Sequence, residues 1–333
     1  MKNKRILWIS LSILTVLSII AYIFFWMLTT PYELFSKDPI RHQLIMDAIT
    51  KIISRKSIQV LAMVISAILI SSTTLVFQTM THNRILTPSL IGFDAIFVTI
   101  QTAIIFFFTS TSWLNLNPYV NFIVSSCMMI LISLTMFKVI LNKNKNNIIF
   151  LLLVGMVLST LSRSLASFLQ TIMDPIEFQS LVIRTEVSVS NMNTSVILLA
   201  IPLMIFIVIL MLKEFRSYDV MILGETQAIG LGVEYTKKMN LSLIYIAIAM
   251  SITTAMIGPL SFLGLIAVNA AREMLKNYKH LPLFIASSLL AIIFLVLGQT
   301  IVVETGYLTT VTVLMSMIGG AYMIYLVLKE NKA

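Results

Sequence analysis

Few residues of this chain have side chains that could carry out bond chemistry. The single cysteine, Cys127, lies inside an apolar run, which excludes an intramolecular disulfide, a CxxC redox pair and a cysteine metal site. The three histidines, His42, His82 and His280, stand apart from one another, and we interpret them as solvated residues rather than ligands. The sequence contains no GxxxxGKS, GxxxxGKT or GxGxxG motif, so it offers no recognisable nucleotide site. We therefore predict a protein that is not an enzyme and has no cofactor and no metal site.

Arg163 is the one charged residue that we place deep inside an apolar run, in the stretch LSTLSRSLASFLQ. At 1.5 Å per residue it lies about 24 Å from the start of that run. A charge at such a depth costs roughly 3 kcal/mol or more unless it faces a cavity or a partner. Two interpretations are open: Arg163 lines a translocation pathway, or it forms an internal ion pair, for instance with Glu304.

The elements that must position these residues are membrane-spanning helices. Of the 333 residues, 58% are hydrophobic and only 11% are charged, and the mean hydropathy is +0.97. A helix needs about 20 apolar residues to cross a hydrocarbon layer of about 30 Å, and the sequence offers such runs one after another. We predict an all-α, polytopic membrane protein with one transmembrane domain over residues 1–333 and about ten spans. The predicted spans cover residues 6–28, 58–80, 89–109, 119–141, 147–173, 194–212, 239–257, 258–272, 281–303 and 308–328.

Two segments differ from ordinary spans. Residues 29–57 carry apolar residues at helical spacing beside charges, a pattern that predicts an amphipathic helix on the membrane surface. The stretch GPLSFLGLIAVNAAR, residues 258–272, opens with Gly258 and Pro259 and is too short for an ordinary crossing. Such a segment is tolerated at membrane depth only where protein or a water-filled pathway surrounds it. It is therefore either part of a translocation pathway or a tightly packed short helix.

The positions of lysine and arginine predict the orientation. With ten spans both termini lie on one side, and the positive-inside rule places that side in the cytoplasm. The chief exceptions lie together in residues 29–57, which we therefore predict to be extracellular. The net charge of +9 comes from basic residues that flank the spans, so it indicates orientation and not nucleic-acid binding. The loop at residues 217–238 is then cytoplasmic.

That loop, SYDVMILGETQAIGLGVEYTKK, is rich in turn-forming and charged residues. Glycines break its short apolar stripe, and the pattern predicts two short helices joined by a bend. A shape of this kind suits docking into a groove of a partner, and a solvated connector is the alternative. The stripe consists of Met221, Ile222, Ala228 and Leu231.

Several stretches together resemble the permease subunits of ABC importers for iron-siderophores, haem and cobalamin, a family of ATP-driven transporters with ten spans. The stretch LGETQAIGLGV is similar to the coupling loop of that family, which docks on the ATPase. GPLSFLGLIAVNAAR resembles the family's G-P-I-x-F-x-G-L-x-x-P-H-x-x-R, with Val268 and Asn269 in place of the Pro-His pair. FQTMTHNRILTPSLIGFD matches the family at Gln78, Asn83, Pro88 and Gly92.

The resemblance implies roles for particular residues. It implies ATPase coupling for Gly224, Glu225, Ala228 and Gly232. A place along the translocation pathway is expected for Gln78, Gly258, Pro259, Phe262, Gly264 and, on the grounds given above, Arg163.

A narrower likeness concerns the substrate. The phrases NRILTPSLIGFD, IMDPIEFQ and GQTIVVE are similar to a subgroup of siderophore permeases for ferric catecholates. The resemblance implies import of a ferric siderophore across a bacterial cytoplasmic membrane, with haem or cobalamin as alternatives. It also implies a second, different permease, two copies of a cytoplasmic ATP-binding subunit and an extracellular siderophore-binding protein. Because ferric catecholates are anionic, Arg163 is expected to line the outward part of the pathway.

Basic residues on the outer face are the expected contacts for the binding protein. In the family that this chain resembles, acidic residues of the binding protein meet basic residues of the permease, and opposite potentials of this kind steer the encounter. The candidates are Arg41, Arg55, Lys56 and Arg184. An ion-coupled secondary transporter is the rival interpretation, and such a protein is expected to carry ionisable residues at the membrane midplane.

Overall fold

The structure, a computed structural model, describes residues 2–25, 39–143, 148–185 and 194–330. Within those ranges it consists of thirteen α-helices joined by turns, with one 3-10 helix at Pro88–Ile91. In chain order the α-helices are α1 (Lys2–Phe24), α2 (Pro39–Thr81), α3 (Phe93–Phe108), α4 (Trp113–Leu116), α5 (Pro118–Lys143), α6 (Ile148–Thr171), α7 (Pro175–Thr185), α8 (Thr194–Met221), α9 (Glu225–Gly230), α10 (Tyr235–Ile257), α11 (Leu263–Leu275), α12 (His280–Glu304) and α13 (Val311–Glu330).

Eight of the described helices are long and apolar enough to cross a membrane, namely α1, α2, α5, α6, α8, α10, α12 and α13. Two shorter helices occupy the places of the remaining predicted spans. The apolar α3 has 16 residues and α11 has 13, which correspond to about 24 Å and about 20 Å at 1.5 Å per residue. The prediction of an all-α, polytopic membrane protein is confirmed.

Helix α2 corrects the prediction of a separate surface helix over residues 29–57. From Pro39 onward these residues are helical, but they continue without a break into the next span. The resulting helix has 43 residues, or about 64 Å at 1.5 Å per residue, which exceeds the hydrocarbon thickness of about 30 Å. The part of α2 before the apolar run therefore extends beyond the hydrocarbon layer.

The helices pack in two groups that share α2. The first group buries a core between α2, α3, α5, α6, α8 and α10, to which α2 contributes Phe77. The second buries a core between α1, α2, α11, α12 and α13, to which α2 contributes Met63. Both side chains are 0% exposed. Helix α2 is thus the central element of the bundle.

Small hydroxylated residues allow neighbouring helices to approach α2 closely. The hydroxyls of Ser72 and Thr73 donate to the carbonyl of Leu69, one turn earlier in the same helix, so they are satisfied without a partner helix. Small residues of this kind are typical of close helix packing in membranes. The stretch consists of Ser71, Ser72, Thr73 and Thr74, each at most 1% exposed.

Candidate functional site

The loop predicted at residues 217–238 is shorter in the structure. Helix α8 continues to Met221 and α10 begins at Tyr235, so that residues 222–234 form the connection, which we call the α9 loop. It contains one short helix between two turns. The prediction of two short helices joined by a bend is wrong, because the first of them is the last turn of α8.

Two glycines determine the course of the α9 loop. Gly224 precedes α9 with φ 104° and ψ 163°, a conformation that is essentially restricted to glycine. Gly232 follows α9 with φ 84°. The Gly232 N–H donates to the Ile229 carbonyl (2.9 Å) and the Val233 N–H donates to the Ala228 carbonyl (3.0 Å). These two bonds form a Schellman motif, which requires a left-handed residue at the position of Gly232.

The predicted apolar stripe divides between the inside and the outside of the α9 loop. Met221 and Ala228 are 0% exposed and anchor the loop to the helix bundle. Leu231 of the stripe is 64% exposed, and its neighbours Leu223 and Ile229, which lie outside the stripe, are 55% and 56% exposed. Clustered apolar side chains at an exposed loop are typical of a surface that another protein covers. The α9 loop is therefore anchored by buried side chains, and its exposed apolar side chains form what we call its apolar tip.

Beside this tip lies an open groove of about 820 Å³. It runs from Ile229 past Val233 and Tyr235 along α10 to Ile244. Glu225, the first residue of α9, is exposed and lies close enough to Tyr235 to act on it electrostatically. The loop thus combines an apolar groove with an acidic side chain.

Polar side chains join the two helices that flank the α9 loop. Lys238 Nζ of α10 lies 2.5 Å from Glu214 Oε2 of α8. One turn further along α10, Ser242 Oγ lies 2.8 Å from the hydroxyl of Tyr218 of α8. These contacts therefore connect α8 and α10 beside the α9 loop.

The second predicted element lies at the junction of α10 and α11. We call residues 258–264, which include the first two residues of α11, the α10–α11 break. Gly258 ends α10 with φ 102° and ψ −179°. The Pro259 carbonyl accepts a hydrogen bond from Thr312 Oγ1 of α13 at 3.2 Å. The Phe262 side chain lies against Gly319 of α13, where an added Cβ would overlap it. The break is therefore fixed to α13 by both backbone and side chain.

Gly264 fixes the other side of the break. It faces α2, and a Cβ at this position would overlap the Thr74 side chain and lie 3.0 Å from the Ile70 carbonyl oxygen. The contacts at Pro259, Phe262 and Gly264 are those of a tightly packed short helix, one of the two interpretations left open. A role in the translocation pathway stays a prediction.

Asp94, at the start of α3, links the break to Arg163. Ser261 Oγ donates to Asp94 Oδ2 at 2.5 Å, and Asp94 Oδ1 is buried with no hydrogen-bond partner among the described residues. Arg163 of α6 is exposed on the single chain and acts electrostatically on Asp94. Glu304 acts on Lys56 instead. Asp94 is therefore an acidic group close enough to Arg163 for the two to interact.

Gln78 lies near the end of α2, about one turn beyond Thr74. Its side chain is 2% exposed, and Nε2 donates to the Arg84 carbonyl at 2.6 Å. Asn269 Nδ2 of α11 donates to the same carbonyl at 2.9 Å. Gln78 and Asn269 therefore hold the turn after α2 against α11, and a pathway role for Gln78 stays a prediction.

The four residues predicted to meet a binding protein have different environments. Lys56 Nζ donates to the Tyr22 carbonyl at 3.0 Å and lies 4.6 Å from the centre of the Tyr22 ring, so it ties α2 to α1. Arg184 of α7 is half-buried, and this burial lowers its pKa. Arg55 is exposed, and the side chain of Arg41 lies outside the described residues. Lys56 thus has a structural role within the chain besides any docking role.

Comparisons with known proteins agree with these features. The FecCD transport family matches residues 10–329. The petrobactin import system permease protein YclO of Bacillus subtilis is 42% identical over 280 residues, which are 84% of this chain and 89% of that protein. The chain belongs to the FecCD transport family. The petrobactin import system permease protein FatC of Bacillus anthracis is 28% identical over 281 residues, 84% of this FecCD chain and 79% of the relative.

A solved structure shares the fold of this FecCD permease. A metal-chelate type ABC transporter in an inward-facing conformation matches with a TM-score of 0.78 at 19% identity, covering 96% of this chain and 98% of that one. The predicted ABC importer permease fold is confirmed. As a permease the chain is a transport subunit rather than an enzyme, and it works with ATP-binding and substrate-binding partners.

One residue of this FecCD permease was misinterpreted from the sequence. His280, predicted to be solvated, is 0% exposed and bonds to Asp219 and Thr79. These partners are 61 and 201 positions away in the chain, so no local pattern reveals them. One indication was present in the sequence, namely that the polar residue His280 stands at the start of an apolar span.

Proposed function

We propose that this FecCD permease carries a ferric siderophore of the catecholate type into a bacterial cytoplasm. The observation that supports the substrate most strongly is the 42% identity, over 84% of the chain, with a permease of a petrobactin import system. A second relative from a petrobactin import system covers the same share of the chain. Petrobactin-like ferric chelates are therefore the proposed substrate class.

The proposed assembly has four kinds of subunit. This chain pairs with a second, different permease, two copies of a cytoplasmic ATP-binding subunit bind the pair, and an extracellular siderophore-binding protein delivers the substrate. Both termini and the α9 loop face the cytoplasm in the bacterial inner membrane. Lys237 and Lys238 next to the α9 loop, and Lys276 and Lys279 between α11 and α12, support this orientation because basic residues concentrate on the cytoplasmic side.

In the proposed mechanism the α9 loop receives the movement of the ATPase. The exposed side chains of Leu223, Ile229 and Leu231 enter an apolar groove of that partner, and Glu225 meets a basic residue beside it. The conformations of Gly224 and Gly232 hold the loop in the docking shape. ATP binding then moves the loop and shifts the permease between outward-facing and inward-facing states.

The proposed pathway follows the α10–α11 break. Gly258, Pro259, Phe262 and Gly264 lie in this segment between α2 and α13, which repacks as the state changes. Arg163 is exposed on the single chain and attracts the anionic chelate toward this region. On the outer face Arg41, Arg55, Lys56 and Arg184 attract acidic groups of the binding protein.

Uptake by iron-starved cells tests this function. Cells lacking the chain, and the same cells complemented with it, receive radiolabelled ferric petrobactin, a ferric hydroxamate or haem separately. We expect deletion to abolish ferric petrobactin uptake, complementation to restore it, and the other two substrates to be unaffected. Unchanged uptake of all three would refute the iron assignment, and selective loss of haem uptake would replace the catecholate with haem.

A further inference from the structure

The buried imidazole of His280 joins helices α2, α8 and α12 next to the α9 loop. His280 is the first residue of α12 and is 0% exposed. Its Nδ1 lies 2.7 Å from Asp219 Oδ1 of α8, and its Nε2 lies 2.8 Å from Thr79 Oγ1 of α2. The His280 backbone N–H also donates to Asp219 Oδ1, at 2.7 Å. Both ring nitrogens are therefore engaged, one by a carboxylate of α8 and the other by a hydroxyl of α2.

The buried imidazole also packs against aromatic side chains of α8. The ring centre of Tyr218 lies 5.7 Å from that of His280, and the ring centre of Phe215 lies 6.1 Å away. Phe284 packs edge-on against Phe215 with centres 5.4 Å apart. Side chains held by packing on several sides keep one geometry, and a hydrogen-bonded bridge in that geometry is directional.

The residues bonded to His280 lie near both the α9 loop and the α10–α11 break. Asp219 lies two residues before Met221, where α8 ends and the α9 loop begins. Thr79 lies on α2 little more than one turn beyond Thr74, which packs against Gly264 of the α10–α11 break. The path from the loop to the break therefore runs along α8, across the imidazole and along α2.

We propose that His280 is a positioning residue that transmits movement of the α9 loop from α8 to α2 and α12. The inference rests on the proposed function, because it presumes that an ATPase moves the loop. In this role His280 touches neither substrate nor nucleotide. It keeps the three helix ends in register, so that displacement of α8 shifts α2 and the N-terminus of α12 together.

The test uses the complete transporter reconstituted in proteoliposomes, with uptake and ATP hydrolysis measured on the same preparation. Thr79→Val is the main variant, because valine keeps the shape of threonine but cannot bond to the imidazole. Thr81→Val is the matched control on the same helix end, where the hydroxyl donates to the Phe77 carbonyl at 2.9 Å instead of bonding to His280. His280→Phe removes both bonds, and His280→Gln keeps one donor and one acceptor.

We expect Thr79→Val and His280→Phe to lower the amount of substrate transported per ATP hydrolysed about fivefold or more, the lower end of typical coupling between sites. Basal ATP hydrolysis and the yield of assembled complex should stay close to wild type. His280→Gln should recover a large part of the loss, and Thr81→Val should match wild type. A wild-type transport ratio in assembled Thr79→Val complexes would overturn the proposal. If His280→Phe does not assemble, Thr79→Val decides alone.

A double-mutant comparison separates transmission from simple stabilisation. If Asp219 and Thr79 act in series through His280, combining Asp219→Asn with Thr79→Val should reduce the transport ratio no more than the stronger single variant. Losses that multiply would contradict a shared path. The ratio is measured with whichever of ferric petrobactin, ferric hydroxamate or haem the wild type transports. Failure of the wild type with all three would refute the proposed function itself, and a normal ratio in the variants would refute only the role of His280.

Discussion

The α9 loop and the α10–α11 break use glycine in opposite ways. At Gly232 in the loop, φ is 84° and an added Cβ would have no atom within 4 Å. At Gly264 in the break, an added Cβ would overlap Thr74 and approach the Ile70 carbonyl. The loop needs glycine for its backbone conformation, and the break needs glycine for space. One region is shaped to leave a surface open to a partner, whereas the other is closely packed within the bundle.

The largest effect is expected from filling the space at the break. Gly264→Val should destabilise the permease by about 3 kcal/mol or more, because overpacking a close helix contact forces the backbones apart. The measurement is thermal unfolding of the detergent-solubilised permease. Gly320→Val in α13 is the matched control, since nothing lies within 4 Å of a Cβ there. The smaller change Gly264→Ala should also destabilise the permease. Adding Thr74→Ala should restore part of that lost stability, because it removes the side chain that the new Cβ would overlap. Equal stability of the Gly264 and Gly320 variants would contradict the distinction between the two regions.

The next effect concerns the open surface of the loop. Leu231→Asp should weaken binding of the ATP-binding subunit about tenfold, or ~1.4 kcal/mol, because a carboxylate cannot enter an apolar groove without losing its hydration. Thermal stability should not change, since Leu231 is 64% exposed. The measurement is the affinity of the purified permease pair for the ATPase. Leu308→Asp, at an 88% exposed leucine between α12 and α13, should bind normally. A reduced affinity of both variants, or of neither, would contradict docking at the α9 loop.

Features set by local requirements could be predicted from the sequence, whereas the extent of individual helices could not. Run lengths and hydropathy predict the spans because crossing a membrane is a local requirement. Glycines and charges likewise predict the position of the α9 loop. The continuity of α2 was missed, because charges in its first turns suggested a surface helix where the chain forms one long helix.

Contacts between distant parts of the chain were also missed. Ala228 turns inward and Leu231 outward, although both belong to one apolar stripe. The partners of His280 and the placement of Asp94 near Arg163 depend on helix packing, and no periodicity within one helix specifies them. Contacts of this kind become visible only when the helices are packed together.

A smaller effect is expected at Arg163, and it decides whether this residue belongs to the pathway or only stabilises the fold. Arg163→Gln should lower ferric petrobactin uptake several-fold, and Arg163→Lys should keep most of it, because a positive charge attracts the anionic chelate. If Arg163 only compensates Asp94, the combined Arg163→Gln and Asp94→Asn variant should regain uptake as well as stability. Continued low uptake in a stable double variant is the result that the pathway role predicts. Normal uptake in Arg163→Gln would remove that role.

The smallest effect is expected on the outer face. Reversing the charge in Arg55→Glu together with Arg184→Glu should raise the concentration of binding protein needed for half-maximal uptake, while the maximal rate stays unchanged. The reason is that surface charges act chiefly on the encounter rate. The difference from wild type should shrink as salt is added, because salt screens exposed charges. A change in maximal rate at low salt would place these residues in the transport step instead.

The measurement that tests the central claim most directly compares two glycines of the same loop. Gly232→Pro imposes a φ near −65° where the chain has 84°, and it removes the N–H that donates to Ile229. Gly230→Ala changes a helical glycine whose Cβ would meet nothing within 4 Å. Reconstituted transporters with Gly232→Pro should assemble and hydrolyse ATP but take up little ferric petrobactin, whereas Gly230→Ala should transport like wild type. Wild-type uptake per ATP in the Gly232→Pro transporter would contradict the assignment of the α9 loop as the element that couples ATP hydrolysis to transport.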